Sequence, residues 1–278
     1  MRTVYAGCRM PRKDFYYNKA KVEGYRSRAS FKLKQIDEAH DVIRKNDSII
    51  DLGAAPGGWL QVAKELSGSG VVIGVDLQKI EPLEGVVTIR GDITNKNIKE
   101  KITPLIKDIK EKKNIKKDKI WEKSGPINVV LSDLAPNITG EYSLDHARSV
   151  HLCREAFGVA LDLLCHGGNF IAKVFYGEDI NKLLEDLNEQ FETVKVFGPK
   201  ASRKESSEVY VICKGRLTAP VKIGERIKVK IVEEGKRGDG VANIEGYTVF
   251  VPGAEIGDLV EIEIEEIRLR FGFAKICS

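Results

Sequence analysis

The chain has 278 residues, of which 42% are apolar and 31% charged, with a net charge of +4. These values predict a globular, soluble protein with one full-sized core and room for a small second domain. No apolar run is long enough to span a bilayer and no signal-peptide stretch is found, so we expect a cytoplasmic protein without a membrane partner. The cysteines are scattered without metal-site spacing, so we expect them to be reduced and packed, with no metal required. They are Cys8, Cys153, Cys165, Cys213 and Cys277.

The positive charge is concentrated at the start of the chain. Residues 1–34 hold ten basic and two acidic side chains, whereas residues 216–278 hold ten basic and eleven acidic ones. The first segment also carries aromatic residues, and basic residues interleaved with aromatic ones suit the backbone and bases of RNA. A solvated, partly ordered tail explains the charge equally well. The RNA-binding candidates in this arm are Tyr25, Arg26 and Arg28.

Short apolar runs alternate with longer amphipathic ones from about residue 47 onward. This alternation predicts an α/β fold, a seven-stranded mixed sheet with helices on both faces. A helix over 27–40 should precede the sheet, and a long helix should begin with Ser143 as its N-cap and end at Gly167. The expected strands cover 48–53, 70–77, 86–92, 127–133, 169–175, 193–198 and 208–215.

The pattern of apolar and polar residues changes after Gly215. Short alternating strands separated by Gly and Pro then predict a small all-β, OB-like barrel. We therefore expect a catalytic domain over 1–215 and a barrel domain over 216–278. Before the fourth strand, the lysine-rich segment 107–126 reads as a solvated helix or loop, with an RNA-facing role as the second hypothesis.

The stretch "DLGAAPGGW" (51–59) follows the first strand and opens a helix. Its glycines allow a backbone to approach a ligand closely, and acids at three successive strand ends should meet at one edge of the sheet. These features predict an S-adenosylmethionine site, although helix capping could explain any one of the acids. A nicotinamide-dependent oxidoreductase on the same fold is disfavoured, because Gly-x-Gly-x-x-Gly is absent. The predicted cofactor residues are Asp51, Gly53, Pro56, Gly57, Gly58, Trp59, Asp76, Asp92 and Asp133, with a core role for Trp59 as the alternative.

Five ordered motifs carry a family resemblance. They are "RSRASFKL" (26–33), "DLGAAPGGW" (51–59), "SDLAPN" (132–137), "AKVFYGED" (172–179) and "SSEVYVICKG" (206–215). With them, the chain resembles the FtsJ/RlmE family of RNA ribose 2′-O-methyltransferases, which have a Rossmann-like S-adenosylmethionine-dependent methyltransferase fold. The resemblance implies a catalytic set at Lys32, Asp133, Lys173 and Glu208.

Lys173 interrupts an otherwise apolar strand, and a buried ammonium is costly to desolvate. A ribose 2′-hydroxyl must lose a proton to attack a methyl group, so we expect Lys173 to act as the base in its neutral form. Burial and a second ammonium on Lys32 should favour that form. We expect Asp133 to orient Lys173 and the substrate, and Lys32 with Glu208 to position the ribose. A lysine that snorkels from the strand end is the alternative.

Residues 220–276 resemble a TRAM domain, a small RNA-binding β-barrel, through "GDGVA", "FVPGA" and "GDLVEIEI". The family resemblance then implies methylation of a uridine in large-subunit (23S) rRNA, in the peptidyl-transferase A-loop. Two alternatives stay open: methylation of tRNA anticodon loops, and a non-catalytic RNA-binding protein. The expected RNA-binding face of the barrel carries Lys236, Arg237, Arg268, Arg270 and Phe271.

Overall fold

A computed structural model describes residues 12–93, 102, 104–106, 108, 125–203, 207–244 and 246–277, with side chains from residue 15 onward. Cys8 and most of the lysine-rich segment 107–126 lie outside the described residues.

Seven strands form one sheet in the order β3-β2-β1-β4-β5-β7-β6. All neighbours are parallel except β7, which runs antiparallel to both β5 and β6. The seven-stranded mixed sheet is thus confirmed. The strands are β1 (Ile49–Leu52), β2 (Val72–Asp76), β3 (Val86–Arg90), β4 (Ile127–Ser132), β5 (Leu164–Phe175), β6 (Phe191–Phe197) and β7 (Glu208–Arg216).

Helices cover both faces of this sheet. Phe170 of β5 packs into one hydrophobic cluster and the next residue, Ile171, packs into the other. Both side chains are fully buried, which explains why this strand is an apolar run rather than an alternating one. No helix in the described ranges is long and apolar enough to cross a membrane. The helices are α1 (Arg12–Val22), α2 (Ser30–His40), α3 (Gly58–Ser67), α4 (Tyr142–Leu163) and α5 (Ile180–Gln190).

The expected ends of α4 are wrong. The helix begins at Tyr142, so Ser143 lies inside it, and it ends at Leu163. Gly167, with φ +72°, lies within β5. The strand starts earlier than expected because Leu164 already pairs with Ile127, and the register shifts before Asn169 pairs with Val129. Gly167 therefore lies where the pairing of β5 with β4 shifts register, and its positive φ belongs to this irregularity of the strand.

A closed barrel follows the sheet, with strand order β10-β12-β11-β8-β9. Alternate side chains along its strands fill a separate core that includes Ile231, Val249 and Ile262. The predicted small all-β barrel is confirmed. Its strands are β8 (Arg226–Glu234), β9 (Gly240–Ile244), β10 (Tyr247–Val251), β11 (Leu259–Ile267) and β12 (Phe271–Ile276).

Candidate active site

The sheet topology brings the carboxyl ends of several strands to one edge. The carboxyl ends of β1, β2, β4 and β5 meet there because these strands are parallel. Strand β7 runs the other way, so its first residue, Glu208, pairs with Phe175 near the end of β5. Residues distant in sequence therefore converge on this edge.

Two buried lysines each meet a carboxylate there. The Nζ of Lys173 lies 3.1 Å from Oδ1 of Asp133 and donates a hydrogen bond of 2.8 Å to the backbone carbonyl of the same residue. The Nζ of Lys32, on α2, lies 2.6 Å from Oε1 of Glu208. Both lysines are only 8% exposed. Lys173 therefore does not snorkel into water; its ammonium group is held inside the protein.

Tyr210 connects the two ion pairs. Its hydroxyl lies 2.7 Å from Oδ1 of Asp133, to which it donates, and 3.4 Å from Oε1 of Glu208. Burial, together with the carboxylates of Asp133 and Glu208, raises the pKa of Tyr210 well above its ordinary value, so the hydroxyl keeps its proton. The catalytic candidates thus form one hydrogen-bonded chain from Lys32 to Lys173.

Sequence reasoning missed Tyr210 because a tyrosine within "EVYVIC" reads as a core residue. A signal was present: Tyr210 follows Glu208 by two positions, which places both side chains on the same face of β7. The register adds that Tyr210 lies opposite Lys173 of β5. Cross-strand neighbours of this kind share one face of a sheet.

Asp51 is the most unusual carboxylate of this edge. It is 1% exposed, and neither of its side-chain oxygens has a hydrogen-bond partner within the described chain. Burial raises its pKa well above the ordinary value, and the charges of Asp133 and Asp76 add to the effect. A carboxylate left without a partner at this depth fits a ligand that brings a positive, hydrogen-bonding group.

The other two predicted acids differ from Asp51. Asp76 accepts hydrogen bonds from the backbone N–H groups of Ala55, at 2.9 Å, and Gln78, at 2.7 Å. It therefore secures the loop after β1 and the turn after β2; no helix of the described chain lies between β2 and β3, so Asp76 does not cap one. Asp92 is exposed and follows β3 by two residues.

The glycine-rich loop packs against the protein more than was expected. Gly53, with φ +80°, leaves no room for a Cβ, which would lie 2.5 Å from Cδ2 of Leu134. At Gly57, with φ +108°, a Cβ would meet the guanidinium of Arg26 at 2.9 Å. A Cβ at Gly58 would collide with the hydroxyl of Ser27. These glycines thus let the loop fit its own scaffold, which is a reason beyond ligand approach.

Trp59 is a core residue, in agreement with the alternative given for it. The ring is 3% exposed and its Nε1 donates a 2.8 Å hydrogen bond to the carbonyl of Ala29. It packs against Tyr210 with 5.7 Å between ring centroids. Trp59 therefore packs against the ring of Tyr210, which belongs to the hydrogen-bonded chain, and helps to fix its position.

The predicted RNA-binding residues of the arm have partners within the protein. Arg26 donates to the carbonyls of Pro56, Glu81 and Pro82, and thereby joins the glycine-rich loop to the segment after β2. Arg28 donates to the carbonyl of Ala201. The hydroxyl of Tyr25 donates to the carboxylate of Glu65 at 2.7 Å. Their contact with RNA stays a prediction.

The described part of the arm is ordered against the rest of the chain. Tyr16 of α1 packs against Phe31 of α2, with 5.5 Å between ring centroids. Ala20 of α1 is 2% exposed in the same small cluster. A partly ordered tail therefore does not describe residues 12–22.

Four of the five predicted barrel residues surround one groove. Lys236, Arg237, Arg268 and Phe271 line a cavity of about 670 Å³. Arg270 is exposed and is not among its lining residues. Within the described residues, no group of three His, Cys, Asp or Glu side chains is placed to hold a metal ion.

Comparison with known proteins identifies the two parts of the chain. The profile of the FtsJ-like methyltransferase family matches residues 25–216, and that of the TRAM domain matches residues 220–277. The chain is 54% identical to the ribosomal RNA large subunit methyltransferase E of Natronomonas pharaonis over 96% of this chain and 99% of that protein. It is 49% identical to the protein of the same name from Methanosarcina mazei, over 95% of this chain and 92% of the other.

A solved structure, that of a ribosomal RNA methyltransferase from Plasmodium falciparum, superposes with a TM-score of 0.56 at 29% identity. It covers 70% of this chain and 100% of the other. The chain therefore belongs to the FtsJ-like methyltransferase family and carries a C-terminal TRAM domain.

Proposed function

We propose that this methyltransferase uses S-adenosylmethionine to methylate a ribose 2′-hydroxyl of large-subunit rRNA. The observation that carries the proposal is the hydrogen-bonded chain of two buried lysine–carboxylate pairs at the strand edge that also holds Asp51. The names of the archaeal relatives support rRNA as the substrate class.

The residues of the edge fit the proposed cofactor. When bound, S-adenosylmethionine supplies an activated methyl group, and its methionyl part carries an ammonium group. Asp51 would accept hydrogen bonds from that ammonium group, since neither of its buried oxygens has a partner in the described chain. Asp76 and Asp92 are proposed for the ribose and the adenine, respectively. The backbone of Gly53, Pro56, Gly57 and Gly58 would flank the ligand.

Lys173 is the proposed base for the 2′-hydroxyl proton. Its two contacts to Asp133 fix the position of Nζ at the end of β5. Lys32 was expected to favour the neutral form of Lys173, but its charge is balanced by Glu208 at 2.6 Å. We keep the expected roles of Lys32 and Glu208 in positioning the ribose and of Asp133 in orienting Lys173 and the substrate.

A pair of conservative replacements tests this division of roles. Lys173→Arg keeps a positive charge but cannot give up or accept a proton at neutral pH, so it should lose methyl transfer as fully as Lys173→Ala. Lys32→Arg, the matched control, keeps the charge beside Glu208 and should retain part of the activity. The rate is measured at saturating RNA and cofactor. A Lys173→Arg enzyme near the wild-type rate would show that Lys173 acts through charge and not as a base.

The nucleotide is proposed on the family resemblance. We assign it as a uridine in the A-loop of 23S rRNA, and mass-spectrometric mapping of ribose methylation with and without the protein tests the assignment. Methylation confined to tRNA anticodon loops would replace this substrate with the tRNA alternative. Cofactor binding without methylation of either RNA would favour a non-catalytic RNA-binding protein.

The division of labour along the chain is also part of the proposal. We assign methyl transfer to residues 1–215 and additional RNA binding to the barrel, residues 216–278. The separate hydrophobic core of the barrel supports this division. The mixed charge of the barrel indicates that it adds affinity or orientation and does not provide most of the binding.

A further inference from the structure

Three phenylalanine rings lie on the outside of the barrel. Along β10 and β12 the side chains alternate, so Val249 and Ala274 are buried while Phe250, Phe271 and Phe273 are half-buried. The two strands pair with Phe250 opposite Phe273, which makes the rings neighbours. Their centroids are 5.6–5.7 Å apart in all three pairs; the rings of Phe250 and Phe273 are inclined by 31° to each other, and that of Phe271 stands at 80–89° to both. We call these three residues the aromatic platform.

The aromatic platform forms one side of the groove of about 670 Å³ described above. Arg268 lies over it, with its guanidinium carbon 5.5 Å from the ring centre of Phe271 and 5.8 Å from that of Phe273. The groove lining also includes charges of both signs from the β8–β9 hairpin. These are Glu233, Glu234, Lys236, Arg237 and Asp239.

These half-buried rings on the outer face of the closed barrel are not part of its core. Exposed apolar clusters rimmed by polar residues mark binding sites, and this cavity has the size of an ordinary ligand pocket. A nucleotide fits its chemistry. The base is a flat ring for stacking, the phosphate is an anion for Lys236 and Arg237, and base amino groups can donate to the carboxylates.

We propose that the aromatic platform binds an unpaired nucleobase of the RNA substrate by stacking. The inference rests on the proposed function, since it names the part of the RNA that the barrel takes. Duplex RNA does not fit this site, because its bases already stack on one another inside the helix and their faces are not available. The groove is lined by three acidic and three basic side chains, which also argues against a surface that only follows phosphates.

Binding of short RNA to the full-length protein tests the proposal. Phe250→Ala and Phe273→Ala should each weaken binding of a single-stranded oligonucleotide about 5- to 100-fold. Binding of the same strand annealed to its complement should be nearly unchanged. Leu259→Ala is the matched control, since Leu259 is an apolar side chain of β11 that is 75% exposed and lies outside the groove lining.

Salt dependence separates stacking from phosphate contact. Removal of a ring should lower the affinity for the single strand without changing the slope of log K against log salt. Lys236→Ala should instead reduce that slope by about 0.7 if its ammonium contacts one phosphate. Equal slope changes for the ring and lysine variants would overturn the stacking assignment.

A further variant guards against misfolding. Phe273→Trp keeps an aromatic ring, so it should retain affinity, and its indole fluorescence should be quenched when single-stranded RNA binds. Unchanged binding by both alanine variants, or no quenching with Phe273→Trp, would overturn the inference.

Methyl-transfer assays keep this test distinct from that of the proposed function. If the inference alone fails, the platform variants methylate rRNA with the wild-type KM. If the proposed function fails, the wild-type protein itself does not methylate rRNA, whatever the barrel binds.

Discussion

At the scale of single residues, the site is a set of buried charges that the fold holds in pairs, with one exception. Lys32, Asp133, Lys173 and Glu208 were assigned from motifs, and the structure brings them into two ion pairs. Tyr210 could not be assigned in this way, because its role depends on the strand register that places it between the pairs. Nor could the sequence predict that the carboxylate of Asp51 has no hydrogen-bond partner in the described chain, because this depends on the tertiary structure.

Asp51→Asn should weaken cofactor binding and make the cofactor-free protein more stable. Burial raises the pKa of Asp51 in the folded state, so the folded protein binds this proton more tightly than the unfolded chain, whose pKa is about 3.9. The resulting stabilisation is complete below the unfolded pKa and is lost as pH rises through the folded one. Near neutral pH the cofactor-free variant should therefore be more stable than the wild type by about 1–3 kcal/mol.

Thermal unfolding across pH, with and without S-adenosylmethionine, checks this expectation. The stability advantage of Asp51→Asn should shrink towards pH 4, and the increase in Tm caused by the cofactor should disappear in the variant. If the variant were as strongly stabilised by the cofactor as the wild type, Asp51 would not be the ammonium ligand.

Tyr210→Phe should test the link between the ion pairs. The variant keeps the buried ring and loses a hydrogen bond to a carboxylate, so the free energy of unfolding should fall by about 1.5–3 kcal/mol. The rate of methyl transfer should fall by about tenfold or less, because Lys173 still holds Asp133. Urea denaturation and kcat at saturating substrates measure the two effects. A loss as complete as that of Lys173→Ala would give Tyr210 a direct part in the chemistry.

At the scale of elements, the strands were predictable because most of them are short apolar or alternating runs bounded by turn residues. The ends of the strands were harder to predict, because pairing continues for as long as a neighbouring strand offers a partner. Strand β5, for example, begins at Leu164, five residues before the expected start. The reason for the loop glycines was only partly predictable. A repeated glycine indicates close approach, but the identity of the approaching group, here Leu134 and Arg26, is a fact of the tertiary structure.

Gly53→Ala should show what that close approach contributes. Gly24→Ala is the control, because Gly24 has a similar φ of +76° but open space around the added Cβ. Both variants should lose about 1 kcal/mol of stability for the left-handed backbone, and Gly53→Ala should lose more because Leu134 must move. Isothermal titration should also find weaker cofactor binding for Gly53→Ala alone. Equal effects of the two replacements would contradict the packing role of Gly53.

At the scale of the whole molecule, two hydrophobic cores follow one another along the chain. The change of residue pattern after Gly215 predicted the second core. Nothing in the sequence predicted where the barrel lies relative to the active edge. The structure supplies it. Strand β7 ends at Arg216, Leu217 donates its N–H to the carbonyl of Gln190, and Thr218 donates its N–H to Nδ1 of His166, near the start of β5.

Truncation after Ala219 should therefore keep the sheet complete. The shortened protein is expected to bind S-adenosylmethionine with the wild-type Kd and to bind RNA more weakly. Calorimetry with the cofactor and a filter-binding assay with rRNA fragments measure the two affinities. Loss of cofactor binding in a folded truncated protein would mean that the barrel supports the sheet instead of binding RNA.

The reversed direction of β7 has a consequence for the size of the substrate. The strand begins with Glu208 at the active edge and leaves the sheet at Arg216, about 26 Å away at the usual rise per residue. The barrel is thus attached at the end of the sheet opposite the active edge. An RNA that engages both places must extend across the body of the enzyme, so a folded RNA with its distant loops in position should be a far better substrate than a short strand containing the same target nucleotide.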